Sequence, residues 1–181
     1  MTEEKNKINR FAMEYGLILS AYFILKFGAT VFSTRFTLLS IPAWGMLLGI
    51  PFVLYWMLRI FRNRQNGGYI EFGKAWSISM LLIFFASLPE ALVQYCYFEF
   101  INPAYIQEQI THLSATIETM GDLKESPAIA ELINNYKTAS TPSAIQMAFQ
   151  GIFNNLFFGG LLSLAVAAVI KRNAPTGGNA L

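Results

Sequence analysis

Charged side chains are scarce in this chain of 181 residues, and cysteine and histidine each occur once. Asp, Glu, Lys and Arg make up 13% of the residues, about half the share usual in soluble domains. A single cysteine excludes an internal disulfide and a cysteine-rich metal site, and we expect Cys96 to be a buried apolar residue. The net charge of +2 provides no concentrated basic face. We therefore expect no metal, no other cofactor and no nucleic-acid partner.

Hydrophobic residues, in contrast, make up 54% of the chain. They form four long apolar stretches, at about 11–32, 38–60, 75–98 and 143–170, each long enough to cross a bilayer as a helix. The second and fourth stretches lack the charged stripe that a helix of a soluble protein shows. The sequence therefore predicts an all-α integral membrane protein, a single membrane domain over residues 1–181 built as a four-helix bundle.

Basic residues are concentrated at one side of this predicted bundle. They lie at the N-terminus, between spans two and three, and at the C-terminus: Lys5, Lys7, Arg10, Arg59, Arg62, Arg64, Lys74, Lys171 and Arg172. Short loops rich in Lys and Arg remain in the cytoplasm. We therefore expect a multi-pass protein of the bacterial inner membrane with both termini cytoplasmic and the lipid bilayer as its surroundings.

The one long connection, residues 99–141, has the pattern of an extracytoplasmic two-helix hairpin. Asn102-Pro103 and Ser126-Pro127 are typical helix starts. The first apolar stripe comprises Ile106, Ile110, Leu113, Ile117 and Met120, and the second Ile129, Leu132, Ile133 and Tyr136. Six acidic residues against two basic ones make the segment acidic. The stripes either pack on each other and on the span ends, or form a docking face for a periplasmic protein.

Four polar residues fall at similar depths in three of the spans. At about 1.5 Å per residue from the basic side, Lys26 lies about 21 Å deep, Glu90 about 22 Å, and Asn154 and Asn155 about 22–24 Å. A charge inside a span normally faces a partner or a wet cavity. We expect a Lys26–Glu90 ion pair whose hydrogen bonds are completed by Asn154 or Asn155. This cluster either staples the bundle, with snorkelling as a variant, or binds a ligand or proton.

Small residues recur at four-residue intervals in two spans. Gly45 and Gly49 form such a pair in the second span, and Gly159, Ser163 and Ala167 form a ridge in the fourth. Spacing of this kind lets helices approach closely, either within one protomer or between protomers.

The connection between spans two and three is basic and rich in glycine. Arg62 and Arg64 precede Asn66-Gly67-Gly68, a turn signal in which glycine supplies positive φ. The Walker spacing for nucleotides is absent. We treat Arg62, Arg64, Gly67 and Gly68 as a candidate cytoplasmic loop site.

This loop also carries a family resemblance. The basic residue, Asn-Gly-Gly and x-Ile-x-Phe-Gly-x-Ala pattern is followed by an apolar span and then by Phe100-Ile101-Asn102-Pro103. Together with the Tyr15-Gly16-Leu17-Ile18 opening and the Lys171-Arg172 ending, this pattern resembles a Bacteroidota family of four-span membrane proteins, domain of unknown function 4199. The resemblance implies a topology and an inner-membrane location, and it brings no activity and no functional residues.

Two functions remain open at this stage. No nucleophile–base pair or carboxylate dyad occurs at helical spacing, so we do not expect an enzyme. The first function is a non-catalytic scaffold or accessory subunit that binds a membrane or periplasmic protein or associates with itself. The second is a small oligomeric transporter, permeation subunit or lipid-binding module that uses the intramembrane polar layer.

Overall fold

The computed structural model describes residues 2–33, 38, 40–119, 131 and 142–173. In these residues the chain is helical and contains no strand, which confirms the all-α prediction. The helices are α1 (Thr2–Ser33), α2 (Ser40–Gln65), α3 (Phe72–Cys96), α4 (Tyr105–Thr119) and α5 (Ala144–Ile170). A π-helical turn, Tyr97–Ile101, follows α3 directly.

Four of these helices are long and apolar enough to cross a membrane. The candidate spans are Glu3–Ser33, Trp44–Gln65, Phe72–Ile101 and Ala144–Ile170. Each contains or overlaps one of the four apolar stretches predicted from the sequence. The first span begins earlier than predicted, because the helix continues through the charged residues that precede Phe11. The protein is therefore a multi-pass membrane protein with an α-helical bundle.

Large apolar side chains cover much of the outer surface of these helices. Exposed examples from the four spans include Leu17, Phe52, Leu92 and Phe153. In water such a surface would cause aggregation, whereas in a bilayer it contacts lipid tails. Cys96 is also exposed, so the prediction that it is buried was wrong. Burial statistics come from soluble proteins, in which no lipid is present to receive an apolar side chain.

Residues Met1–Val93 and Phe149–Leu181 form one compact unit, the four-helix unit. Its core is apolar and includes aromatic side chains, and Phe11 packs edge-on against Phe61 with 5.0 Å between ring centroids. Buried serines accompany them: Ser79 donates to the carbonyl oxygen of Ala75. The hydroxyl bonds to the previous helical turn, so this polar group needs no partner from another helix.

Glycines allow the helices of this unit to approach closely. A Cβ on Gly16 of α1 would lie 2.6 Å from Cβ of Phe85 in α3, and one on Gly159 of α5 would lie 2.9 Å from Cδ1 of Ile83. Ser163 and Ala167, which continue the ridge from Gly159, are fully buried. The small-residue ridge of the fourth span therefore packs within the protomer.

The pair in the second span behaves differently at its two positions. A Cβ on Gly49 would collide with the hydroxyl of Tyr22 in α1. A Cβ on Gly45 would meet no heavy atom within 4 Å in the described part of the chain. Of this pair, only Gly49 therefore serves close helix packing within the described residues.

The second unit comprises Gln94–Ala148. Its described part contains the π-helical turn and α4, which begins at Tyr105 rather than at the predicted Pro103. The difference arises because Pro103 and Ala104 form a turn, closed by the backbone N–H of Tyr105 donating to the carbonyl of Asn102. The second predicted hairpin helix lies outside the described residues except for Glu131, which is helical and exposed.

Aromatic packing surrounds the start of α4. The Tyr105 ring lies 5.3 Å from the ring of Phe98 and 6.0 Å from that of Tyr97, measured between centroids. Burial raises the pKa of Tyr105 above its ordinary value, and Tyr97 and Glu108 act in the same direction. The neutral phenol is therefore the form that this unit stabilises.

Candidate functional site

Three polar side chains from three different helices meet inside the four-helix unit. Nζ of Lys26 lies 3.5 Å from Oε1 of Glu90 and donates to Oδ1 of Asn155 at 2.9 Å. Nδ2 of Asn155 in turn donates to Oε2 of Glu90. Each side chain therefore contacts the other two, and we call this closed arrangement of Lys26, Glu90 and Asn155 the polar ring.

The side chains of the polar ring are buried to different extents. The side chain of Glu90 is 2% exposed and that of Lys26 is 15% exposed. The Lys26 ammonium also lies 4.6 Å from the centroid of the Phe23 ring, within cation–π distance. A buried carboxylate is costly unless it is paired and hydrogen-bonded. Glu90 meets both conditions, because each of its oxygens has a ring partner.

The position of Glu90 on α3 depends on the local sequence. Pro89 precedes it, and α3 continues through this proline. Proline lacks an N–H, so the carbonyl of Phe85 receives no helical hydrogen bond from it. Phe85 lies where Gly16 brings α1 close to α3. The tight α1–α3 approach and the interrupted backbone ladder therefore both occur at Phe85, about 7.5 Å along α3 from Glu90.

Asn154 does not join the polar ring. Its side chain is exposed, and its Oδ1 accepts a hydrogen bond from Nε2 of Gln150 at 3.1 Å. Successive residues on a helix point about 100° apart, so two neighbouring asparagines face different directions. Depth along the helix predicted both residues equally, and only the rotation of α5 separates them.

The basic loop between α2 and α3 is a tight turn. Gly67 and Gly68 have φ of +62° and +86°, the left-handed region that favours glycine. The backbone N–H of Gly68 donates to the carbonyl of Arg62 at 2.8 Å, which closes the end of α2. The turn signal thus corresponds to a real turn, whose glycines are needed for their backbone geometry.

The same loop is tied to the chain beyond α5. Ile70 and Arg172 form an antiparallel bridge, with the N–H of Ile70 donating at 2.9 Å and that of Arg172 at 2.8 Å. Nη1 of Arg62 donates to the carbonyl of Ile170 at 3.1 Å. Arg62 therefore serves the structure of this end, whereas Arg64 is exposed.

The N-terminal part of α1 reaches the same end of the unit. Nζ of Lys74 forms an ion pair with Glu4 and donates to Oδ1 of Asn66 at 2.6 Å. The start of α1, the glycine turn and the segment after α5 therefore lie together, and we call this region the loop end. Its contacts combine residues far apart in the chain, so no local pattern in the sequence indicated them.

Tyr22 also has a structural role that the sequence analysis did not predict. Its hydroxyl donates to the backbone carbonyl of Met46 in α2 at 2.5 Å. Gly49 leaves the space for this phenol, because any side chain there would occupy it. The available signal was the small-residue pair in the second span. The pair predicted that another helix approaches closely there, but it did not indicate which residue fills the space beside Gly49.

Comparison with known proteins supplies a family and no activity. No curated protein and no solved structure matches the chain. A family model described as protein of unknown function (DUF4199) matches residues 11–172, nearly the whole chain. The match includes the polar ring and the four helices of the four-helix unit, apart from residues 2–10 at the start of α1. The chain therefore belongs to the DUF4199 family.

Proposed function

We propose that this protein is a non-catalytic scaffold or accessory subunit of the bacterial inner membrane, from a member of the Bacteroidota. The closed geometry of the polar ring is the observation that supports a structural role. Lys26 pairs with Glu90, and Asn155 bonds to both. A transport site needs a polar group that can exchange its partner for a substrate. In the polar ring the carboxylate oxygens are already occupied by protein groups.

The orientation in the membrane follows from the charge of the loop end. The basic residues in this region or next to it in the chain are Lys5, Lys7, Arg10, Arg59, Arg62, Arg64, Lys74, Lys171 and Arg172. The acidic ones are Glu3, Glu4, Glu14 and Glu71. The positive-inside rule favours a cytoplasmic location for such an end. Both termini are then cytoplasmic, and the acidic segment 99–141 is extracytoplasmic.

Site-specific photo-crosslinking in native membranes tests the scaffold role. A photoreactive residue is placed at Arg64 or at Glu108, both exposed, and at the lipid-facing Leu161 as the matched control. We expect a protein adduct of constant mass at Arg64, at Glu108 or at both, and mainly lipid adducts at Leu161. A partner that is a second copy would double the mass. Lipid adducts alone at all three positions would contradict the proposal.

A second candidate function, a small oligomeric transporter, permeation subunit or lipid-binding module, is favoured by one observation. Glu90 and Lys26 are ionisable residues in membrane spans, and such residues are often functional. Flux of protons or small ions into proteoliposomes distinguishes the scaffold from a transporter or permeation subunit. The transporter predicts a flux that Glu90→Gln abolishes and Asn154→Leu preserves. The scaffold predicts no flux above empty vesicles and lower thermal stability for Glu90→Gln in detergent and in lipid.

A further inference from the structure

An open groove lies between the start of α1 and the end of α2, at the loop end of the four-helix unit. Its volume is about 480 Å³. It is lined by Lys7, Arg10, Phe11 and Glu14 from α1 and by Arg64 and Gln65 from α2. We call it the basic groove. It is separate from the polar ring, and none of its lining residues belongs to that ring.

The α1 wall of the basic groove is one face of the helix. Lys7, Arg10, Phe11 and Glu14 are spaced at i, i+3, i+4 and i+7, which places them in a single row. Phe11 is 1% exposed and packs against the rings of Phe61 and Tyr15. The groove therefore has a buried, closely packed aromatic side chain at its base, with charged side chains beside it.

The charge of the basic groove is positive. Three cationic side chains line it against one carboxylate, and that carboxylate accepts a hydrogen bond from Nε of Arg10 at 2.8 Å. A guanidinium has five N–H donors, so this one bond uses only part of its capacity. Arg64 makes no hydrogen bond or ion pair within the described part of the chain. The groove thus combines two guanidinium groups and one ammonium with surplus donor capacity.

Two other basic residues of the loop end are already engaged in contacts. Arg62 donates to Ile170 and Asn63, and Lys74 contacts Glu4 and Asn66. These contacts hold the chain segments together. Within the described residues, the cationic groups of the basic groove make no hydrogen bond or ion pair of this kind to another chain segment.

The depth of the basic groove corresponds to the headgroup layer of a bilayer. Phe11 is where the apolar part of α1 begins, and Lys7 lies about 6 Å farther out along the helix. The polar layer of one leaflet is about 5–8 Å thick. Arg64 lies in the last turn of α2, also beyond its apolar part. By this spacing, the cationic groups fall at the distance from the apolar part of each helix at which lipid phosphates are expected.

From this placement we propose that the basic groove binds a phosphate group, for which the headgroup of an anionic phospholipid is the source that its depth favours. A soluble phosphate compound would present the same chemistry. Guanidinium groups bind phosphate oxygens through paired N–H donors, and lysine adds a point charge. Basic pockets between membrane helices bind anionic headgroups in the same way. The site does not depend on whether the four-helix unit acts as a scaffold or a transporter.

The test compares two double variants of the full-length protein with equal net charge. Lys7→Gln/Arg64→Gln removes two cations from the basic groove. Lys5→Gln/Arg59→Gln removes two exposed cations from the same helices outside it. Native mass spectrometry measures the binding of phosphatidylglycerol and of zwitterionic phosphatidylcholine. We expect the groove variant to bind phosphatidylglycerol about twentyfold to thirtyfold more weakly than wild type, and the control variant to change by less than about threefold.

A third variant guards against loss of folding as an explanation. Glu14→Gln removes the only carboxylate among the described residues that line the basic groove and releases Arg10, so it should strengthen phosphatidylglycerol binding severalfold. A misfolded protein would not gain affinity. Equal losses in the two double variants, or no preference of wild type for phosphatidylglycerol, would overturn the proposal.

Inorganic phosphate identifies the source of the phosphate group. If millimolar phosphate leaves phosphatidylglycerol bound, the ligand is the lipid, held also by its acyl chains. If phosphate displaces the lipid from wild type and binds only weakly to the groove variant, the ligand is a soluble phosphate. In either result the groove recognises phosphate, whereas binding that is unaffected by Lys7→Gln/Arg64→Gln in both arms contradicts the assignment.

Discussion

The polar ring and the loop end connect the helices of the four-helix unit by different means. In the polar ring, side chains alone link α1, α3 and α5. At the loop end, backbone groups do part of this work through the Ile70–Arg172 bridge and the glycine turn. Inside a bilayer, backbone N–H and carbonyl groups form their hydrogen bonds mainly within their own helix. A polar link between helices there therefore needs a side chain. Near the membrane surface the backbone is available.

This difference implies different sensitivities to mutation. A link made by side chains is lost when one side chain changes. A link made by the backbone survives most substitutions at the same position. The polar ring should therefore respond strongly to single changes, and the loop end only to changes of backbone chemistry. The following predictions test this contrast, from the largest expected effect to the smallest.

Glu90→Ala should have the largest effect. It leaves the partly buried Lys26 ammonium without its carboxylate, and breaking a buried pair in this way costs about 3–5 kcal/mol of unfolding free energy. Titration with a denaturing detergent measures the loss. The double variant Lys26→Met/Glu90→Met removes both charges and should recover most of it. If the double variant loses the sum of the two single losses, the two residues do not interact.

Asn155→Leu and Asn154→Leu form a matched pair on adjacent positions of α5. The first leaves Lys26 and Glu90 each without one hydrogen bond and should lower the unfolding free energy by about 1–3 kcal/mol. The second affects an exposed side chain and should stay within about 0.5 kcal/mol. Thermal unfolding in detergent gives both values. Equal effects would mean that the rotation of α5 differs from that described.

Gly16→Ala and Gly28→Ala test close packing on α1 apart from charge. The added methyl at Gly16 meets Phe85 and should cost about 1–3 kcal/mol through strain. At Gly28 a Cβ meets no heavy atom within 4 Å in the described residues, and alanine should stabilise the helix by up to about 1 kcal/mol. Unfolding midpoints that shift in opposite directions would support this packing. Shifts in the same direction would refute the α1–α3 contact.

Arg172→Gln and Arg172→Pro separate side chain from backbone at the loop end. Glutamine keeps the N–H that donates to Ile70 and should change stability by less than about 0.5 kcal/mol. Proline removes that N–H and should cost about 1 kcal/mol. The same detergent titration applies. Proline also removes the guanidinium, so an equal loss with glutamine and with proline would show that the Arg172 guanidinium, which lies over the Tyr69 ring, carries the link instead.

Tyr105 gives the smallest effect, and only at alkaline pH. Its pKa is raised above the ordinary value of 10.0 by burial, so the folded state holds the phenol proton more tightly than the unfolded state. Its contribution to stability is complete below pH 10.0 and is lost as the pH rises through the folded value. Tyr105→Phe should reduce the alkaline loss of α4 helicity, followed by circular dichroism. An unchanged pH profile would contradict this expectation.

The sequence predicted the fold because the membrane imposes simple rules. Apolar stretches of sufficient length must be helices, so four of the helices could be found without tertiary information. Their rise per residue also placed Lys26, Glu90 and Asn155 at one depth. Family membership followed from the motifs of the loop. In each case a local property of the chain determined the result.

What the sequence did not reveal depends on how helices are rotated and joined. Asn154 and Asn155 lie at similar depths along α5. The rotation of α5 about its axis determines that Asn155, and not Asn154, contacts Lys26 and Glu90. The Ile70–Arg172 bridge joins positions about a hundred residues apart, which no periodicity indicates. Cys96 was assigned to the interior because the rule for cysteine was learned in water, where no lipid surrounds the protein. The role of the polar ring in function stays a prediction.

Helix α5 is fixed at two levels along its length. Asn155 connects it by hydrogen bonds to Lys26 of α1 and Glu90 of α3. About 22 Å farther along the helix axis, the carbonyl of Ile170 accepts a hydrogen bond from the Arg62 guanidinium. A helix that is bonded at one level can still tilt about that level. A helix that is bonded at two levels can neither tilt nor slide without breaking the hydrogen bonds at one of them. Any gating motion of α5 would therefore have to begin by breaking one of these two attachments.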